Sequence, residues 1–153
     1  SKGIDIKPVV ITNGTMLHKN AIGEILKKMD FLGGGAWVKL DAGNEKEFHR
    51  ISETDFSFEK IKNNIIYFSK STSVVLQTIL YRYSDGKSSF NTDDYVDCIN
   101  EMSGKGAKFK FIQLYTLARA TKVKDLSSIS EEELAEKATL IKEKTGVDVK
   151  IYP

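Results

Sequence analysis

The stretch that decides the fold is Trp37-Val38-Lys39-Leu40-Asp41-Ala42, a short apolar strand that ends in an acid. Around it the chain repeats one unit: buried strand, polar turn, amphipathic helix, next strand. Strands of such units build a core, and residues just past their C-terminal ends face a site. Lys39 and Asp41 are the charged residues of this otherwise interior segment. Solvent exposure at a rim explains them in one reading, and ligand contact in the other.

Upstream, Pro8-Val9-Val10-Ile11 is a continuous β-branched run, read as a strand covered on both faces, with proline at its tolerated first position. Thr12-Asn13-Gly14-Thr15 has turn composition. Ile22, Ile25, Leu26 and Met29 then fall at helical spacing, with Lys19, Glu24, Lys27 and Lys28 opposite. Gly33-Gly34-Gly35 precedes a strand rather than following one, the wrong order for a phosphate-cradling loop. It reads as a connector.

Downstream, Asn44 to Arg50 predicts a short helix with Phe48 and Ile51 turned inward. Asp55 or Ser57 caps a helix whose Phe58, Ile61, Ile65 and Phe68 share one face. Val74 to Tyr81 reads as the third strand, followed by a polar loop over Ser84 to Ser89. Thr92 is the expected cap of the next helix, with Asp93 and Asp94 in the first turn, where the helix dipole favours acids. Tyr95, Ile99 and Met102 give that helix its buried face, and Phe109 to Tyr115 forms the fourth strand. Ser130 with Glu133 makes a capping box, the strongest boundary signal in the chain. Leu134, Ala138 and Ile141 form the last stripe, Gly146 ends it, and Val147 to Ile151 alternates as an edge strand should. The aromatics Trp37, Phe56, Phe58 and Phe111 are assigned to core or helix–sheet packing.

Strands alternating with helices predict an α/β fold of parallel strands with right-handed crossovers. Five strands do not close a barrel, so the expectation is a partial (β/α) barrel, one domain over residues 1–153, with an open parallel sheet as the alternative. The chain opens Ser1-Lys2-Gly3-Ile4, placing a glycine where a helix C-cap usually sits with no helix ahead of it. That favours an arc of a barrel cut from something longer. An arc exposes a strand edge, which calls for the missing N-terminal part of the same protein or for a homo-oligomer through that edge.

Composition narrows the function classes. At 153 residues and 41% hydrophobic content the chain can bury one real core. A net charge of +2, from 23 basic and 21 acidic side chains, is too even for a nucleic-acid-binding face. No apolar run approaches the roughly 18 residues of a membrane span, and no signal-peptide pattern is present. Cys98 is the only cysteine, which rules out an internal disulfide and makes a cytoplasmic setting the default. Its place beside Tyr95 and Ile99 makes it a packed thiol. His18 and His49 are far apart, with no carboxylate cluster between them.

With crossovers of one hand, the C-terminal ends of the strands gather on one rim. It would hold Thr12, Asn13 and Gly14; Lys39 and Asp41; Gln77, Thr78 and Arg82; Gln113, Tyr115, Thr116 and Arg119. Amides, hydroxyls, an acid and two arginines suit a polar ligand carrying ribose, carboxylate or phosphate groups. Bland roles compete at each position. Asp41 is a ligand contact or a helix cap; Lys39 a contact or a solvated salt bridge; Arg119 an anion binder or a surface partner of Glu131 or Asp125.

Several runs resemble one family. Val10-Ile11-Thr12-Asn13-Gly14-Thr15 resembles the third strand and turn of radical S-adenosylmethionine enzymes. Val38-Lys39-Leu40-Asp41-Ala42 with Phe48-His49-Arg50-Ile51 resembles their fourth strand and its helix. Ile112-Gln113-Leu114-Tyr115-Thr116-Leu117-Ala118-Arg119, then the segment from Leu126 to Leu134, is similar to the sixth strand and the capped helix after it. Lys144-Thr145-Gly146-Val147-Asp148-Val149 is similar to the end of that domain. The subgroup it looks most like is iron–sulfur oxidoreductases, near enzymes that activate glycyl-radical partners or modify tRNA bases.

The resemblance implies S-adenosylmethionine and a 4Fe-4S cluster as cofactors of the intact enzyme, with reductive cleavage of the former and hydrogen abstraction from a substrate. The family's Cys-x-x-x-Cys-x-x-Cys loop is absent here, so the chain resembles the C-terminal part of the barrel, from the third strand onward. Alone it is expected to be inactive and to bind no cofactor tightly. By position the resemblance places Asp41, with Lys39 second, at the cofactor's ribose or carboxylate. Gln77, Thr78, Gln113 and Tyr115 would border adenine and substrate, Asn13 would join the cofactor contacts, and Arg119 would meet an anion. A tRNA partner is implied only for the intact enzyme. The competing classes are a stand-alone α/β ligand-binding or regulatory module without redox chemistry, and a phosphosugar lyase or isomerase fragment. For the last, no convincing lysine or glutamate base stands at the rim.

Overall fold

Each strand–turn–helix unit of the sequence forms as one layer-building unit in the computed structural model, which describes residues 6–52, 54–118 and 125–153. The strands are β1 (Val9–Thr12), β2 (Gly35–Lys39), β3 (Val74–Ile79), β4 (Phe109–Tyr115) and β5 (Val149–Tyr152). Between them lie α1 (Asn20–Phe31), α2 (Glu45–Ser52), α3 (Phe58–Ser69), α4 (Thr92–Gly104) and α5 (Glu131–Thr145). All neighbouring strands pair in parallel, and their order in the sheet is their order in the chain.

That order decides the architecture. Right-handed crossovers that always step the same way put every helix on one face of the sheet. One core results: Leu26 of α1, Ile61 and Ile65 of α3, Ile99 and Met102 of α4, and Leu134 and Ile141 of α5 bury against Val38, Leu76, Ile112 and Leu114. A doubly wound sheet would reverse direction once and cover both faces. This winding is that of a barrel arc, and the fold is α/β, a partial (β/α) barrel of five parallel strands.

Among the described residues the opposite face carries no helix, and it is stratified by register. Ile11, Trp37, Val75 and Phe111 stand in one row across four strands. Trp37 meets Phe111 edge-on, with ring centroids 6.5 Å apart. One step nearer the C-terminal ends, Lys39, Gln77, Gln113 and Lys150 form a polar row. Trp37 and Phe111 therefore face away from the helices, contrary to their assignment as helix–sheet packing. Phe58 alone of the four aromatics joins the core, and Phe56 is 42% exposed.

Other expectations are corrected locally. β1 was expected to be covered on both faces, yet it lies at a sheet edge with Val9, Val10 and Ile11 exposed. Apolar composition reports what a strand could bury, not which neighbours are there to bury it. Asn91, not Thr92, caps α4; its side-chain oxygen accepts the amides of Asp93 and Asp94 at 3.0 and 3.2 Å. Ser57 rather than Asp55 caps α3. The capping box is half made: Ser130 accepts the Glu133 amide at 3.2 Å, while the Glu133 carboxylate pairs with Arg82. Gly146 ends α5 at φ 72°, as a left-handed C-cap.

Among the described residues no helix is long and apolar enough to cross a membrane. Cys98 is buried, and burial pushes its thiol up to about 12. The thiolate is the reactive form, so the folded protein should resist thiol-modifying reagents at pH 8 and react fully once unfolded in urea. Rapid modification of the folded protein would contradict this placement.

Candidate functional site

The rim is built from the ends of β2, β3 and β4, where the sheet's period of two aims alternate side chains at the helix-free face. Lys39 and Asp41, two residues apart, therefore point the same way. The Lys39 ammonium lies 3.4 Å from Asp41 Oδ2 and donates to the Tyr115 hydroxyl at 3.3 Å. Asp41 Oδ1 accepts the Ile79 amide at 2.9 Å, which fixes the carboxylate against the end of β3. Asp41 is thus no helix cap. Asn44 does that work for α2, accepting the Glu47 amide at 2.9 Å.

Burial works against the charge on Lys39, but Asp41 and Tyr115 outweigh it and hold the ammonium above the usual lysine value. Burial pushes the Asp41 carboxyl above the ordinary carboxylate range, and Lys39 and the Ile79 amide offset only part of this. Burial also lifts the Tyr115 phenol, with the Asp41 charge adding to it. A lysine held protonated is a poor base and a poor Schiff-base former near neutral pH. Lys39 is therefore suited to holding an anionic group rather than to accepting a proton.

The remaining candidates divide. Gln77 and Gln113 lie side by side in the polar row, the Gln77 amide donating to Gln113 Oε1 at 3.3 Å. Asn13 reaches the same rim, where its side-chain oxygen accepts the amide and hydroxyl of Thr15. Thr78, expected at the cofactor, is turned to the helices instead and is fully buried. Its hydroxyl donates to Leu40 O at 2.9 Å and meets the Tyr95 hydroxyl at 2.8 Å. Adjacent strand residues face opposite sides, so Gln77 and Thr78 cannot serve one site together. Arg82 is drawn off to Glu133 and Gly86 O. Arg119 lies outside the described residues.

Above Asp41 the rim opens into a cavity of about 470 Å³. Asn13, Lys39 and Asp41 line one side; Phe48, Ile51, Phe56, Ile61, Leu117 and Leu126 line much of the rest. Tyr81, two residues past β3, completes the wall. Sequence reasoning turned Phe48 and Ile51 inward but missed the cavity, because its wall joins α2 to residues far along the chain. Lys150 was also missed: its place in the polar row depends on the pairing of β4 with β5.

For a 4Fe-4S cluster the donor set does not fit, since one buried cysteine cannot supply several thiolates. Among the described residues no group of three or more His, Cys, Asp and Glu side chains is placed to hold a metal ion. A cation, a carboxylate, a phenol and two amides gather on one open face, a set suited to a ligand carrying amino, carboxylate or hydroxyl groups. Comparison with known protein families and with curated proteins found no match to this chain.

Proposed function

We propose that this chain is the C-terminal part of the barrel of a radical S-adenosylmethionine iron–sulfur enzyme, and that its polar row and rim hold the amino-acid and ribose end of that cofactor. One observation carries the reading. Lys39, Gln77, Gln113 and Lys150 cross four strands as a polar row on the helix-free face, beneath Asp41 and Tyr115, with Gln77 and Gln113 joined by a hydrogen bond. In a barrel that face is the interior, usually filled by bulky branched side chains. A polar layer there costs desolvation unless a ligand or water satisfies it. The resemblances stated above fall in chain order along the same strands.

Under this proposal Lys39 meets the cofactor's carboxylate, Asp41 its ribose or amino group, and the two glutamines its remaining polar edge. The cluster would be held by cysteines outside this chain and would supply the electron for cofactor cleavage in the intact enzyme. The open edge of β1 would pair with a further strand, parallel from the rest of that enzyme or antiparallel from a second copy.

The test is an amide NMR titration of the chain with S-adenosylmethionine. Saturable shifts are expected at Lys39, Asp41, Gln77 and Gln113. Lys39→Met should weaken binding about tenfold or more, as for the loss of a charge-assisted hydrogen bond. Absence of shifts at these amides, or unchanged affinity in the variant, would remove the reading. The second reading, a stand-alone binding module without redox chemistry, is favoured by the cavity above Asp41, which this chain's own residues line.

A further inference from the structure

The cavity above Asp41 differs in chemistry from the polar row beneath it. Three polar side chains of its lining each make hydrogen bonds within the chain. The Ser52 hydroxyl donates to Phe48 O at 2.6 Å, Thr54 Oγ1 accepts the Phe56 amide at 3.3 Å, and Asn13 Oδ1 is taken by Thr15. The Asn13 amide group and the Lys39–Asp41 pair put the remaining polarity on one side. A sugar or phosphate entering the far side would lose its hydration and gain little in return.

The wall there is Phe48, Ile51, Phe56, Ile61, Leu117 and Leu126. Phe48 is braced by Phe58, their ring centroids 5.3 Å apart. Tyr81 is braced by Tyr83, also with centroids 5.3 Å apart. Phe56 stands at the mouth, 42% exposed. Aromatic walls favour an aromatic guest, which gains edge-to-face contact beyond its buried area. The volume, about 470 Å³, lies within the usual range of small-molecule sites, about 300–1,000 Å³.

We infer that this cavity binds the aromatic ring of a ligand that enters from the α2 side. The inference deepens the proposed function by naming the substrate's class, and rests on that reading only for the cofactor's place beside it. Under that reading the cofactor occupies the polar row and the substrate presents an apolar aromatic group from the α2 side.

The experiment uses indole as the probe, with protein labelled at its isoleucine and leucine methyls. Saturable shifts are expected at Ile51, Ile61 and Ile79, with millimolar affinity and no shift at the exposed Ile25. Phe56→Ser, at the mouth, should weaken indole binding about fivefold. Ile51→Glu should abolish it, with the core methyls of Ile99 and Ile141 reporting that the fold is intact. Ribose 5-phosphate should leave the cavity methyls unmoved. No saturable shift with indole, equal shifts at Ile25, or a stronger response to ribose 5-phosphate would each overturn the inference. If indole binds while S-adenosylmethionine leaves the polar row unmoved, the aromatic site stands and the cofactor reading fails.

Discussion

Replacing Gly43 with alanine is expected to destabilise the protein by about 3 kcal/mol or more, at the upper end for overpacking a core. For a chain of this size that lowers the melting temperature by on the order of 10 °C. The reason is steric and involves backbone alone. A Cβ at Gly43 would lie 2.3 Å from the Tyr95 amide nitrogen and 2.4 Å from the Asp94 carbonyl carbon. Gly43 has no positive φ, so the expected cost rests on the collision. Relief requires the turn after β2 to move off the first turn of α4. That turn is held by the Asn91 cap and by Asn44, whose amide donates to Asp94 Oδ2 at 2.6 Å.

A comparison sharpens the expectation. A Cβ at Gly34 would come within 1.7 Å of Pro8 O, a worse clash on paper. Yet Pro8 precedes the edge strand β1, which can shift outward because one side is open. Gly34→Ala should therefore cost less than Gly43→Ala in urea unfolding. The reverse order, or a Gly43→Ala variant within about 0.5 kcal/mol of the parent, would show that the contact between the β2 turn and α4 is slack.

The units that sequence reading placed best are those in which one period dominates. β4 spans Phe109–Tyr115 as expected, and Tyr95, Ile99 and Met102 are buried on α4 as expected. Difficulties arise where the answer depends on a distant partner. β1 reads as interior because its residues are apolar, but whether it is covered depends on what lies beside it. Thr92 and Asn91 are both sound caps by composition, and backbone geometry chose between them. Glu133 has the spacing to complete its capping box, but Arg82, on a bridge beside Ser127, claims its carboxylate.

The rim was partly legible for the same reason. Lys39 and Asp41 stand out because charge at the end of an apolar strand is visible in one dimension. Gln77 and Thr78 sit in a run without alternation, so their phase relative to the sheet was hidden. Lys150 entered the polar row only through register, and Gly43 carries no local signal because what it avoids is fifty residues away.

Thr78→Val should cost about 2–5 kcal/mol, from two buried groups left unpaired. A threonine hydroxyl has one proton. Since Thr78 donates it to Leu40 O at 2.9 Å, the 2.8 Å contact with Tyr95 must have the phenol as donor. Valine keeps the shape but strands both the Leu40 carbonyl and the Tyr95 hydroxyl in a fully buried setting. Tyr95→Phe alone removes only the phenol and should cost about 1 kcal/mol. In the double variant the stranded hydroxyl is gone, so its loss should fall short of the sum of the singles by about 1 kcal/mol or more. Additive losses would mean that the two hydroxyls do not share a bond. Because Thr78 faces the helices, Thr78→Val should also leave ligand binding at Lys39 and Gln77 unchanged wherever the variant remains folded. A selective loss of binding without loss of stability would instead return Thr78 to the rim, and with it the phase of β3 on which the polar row depends.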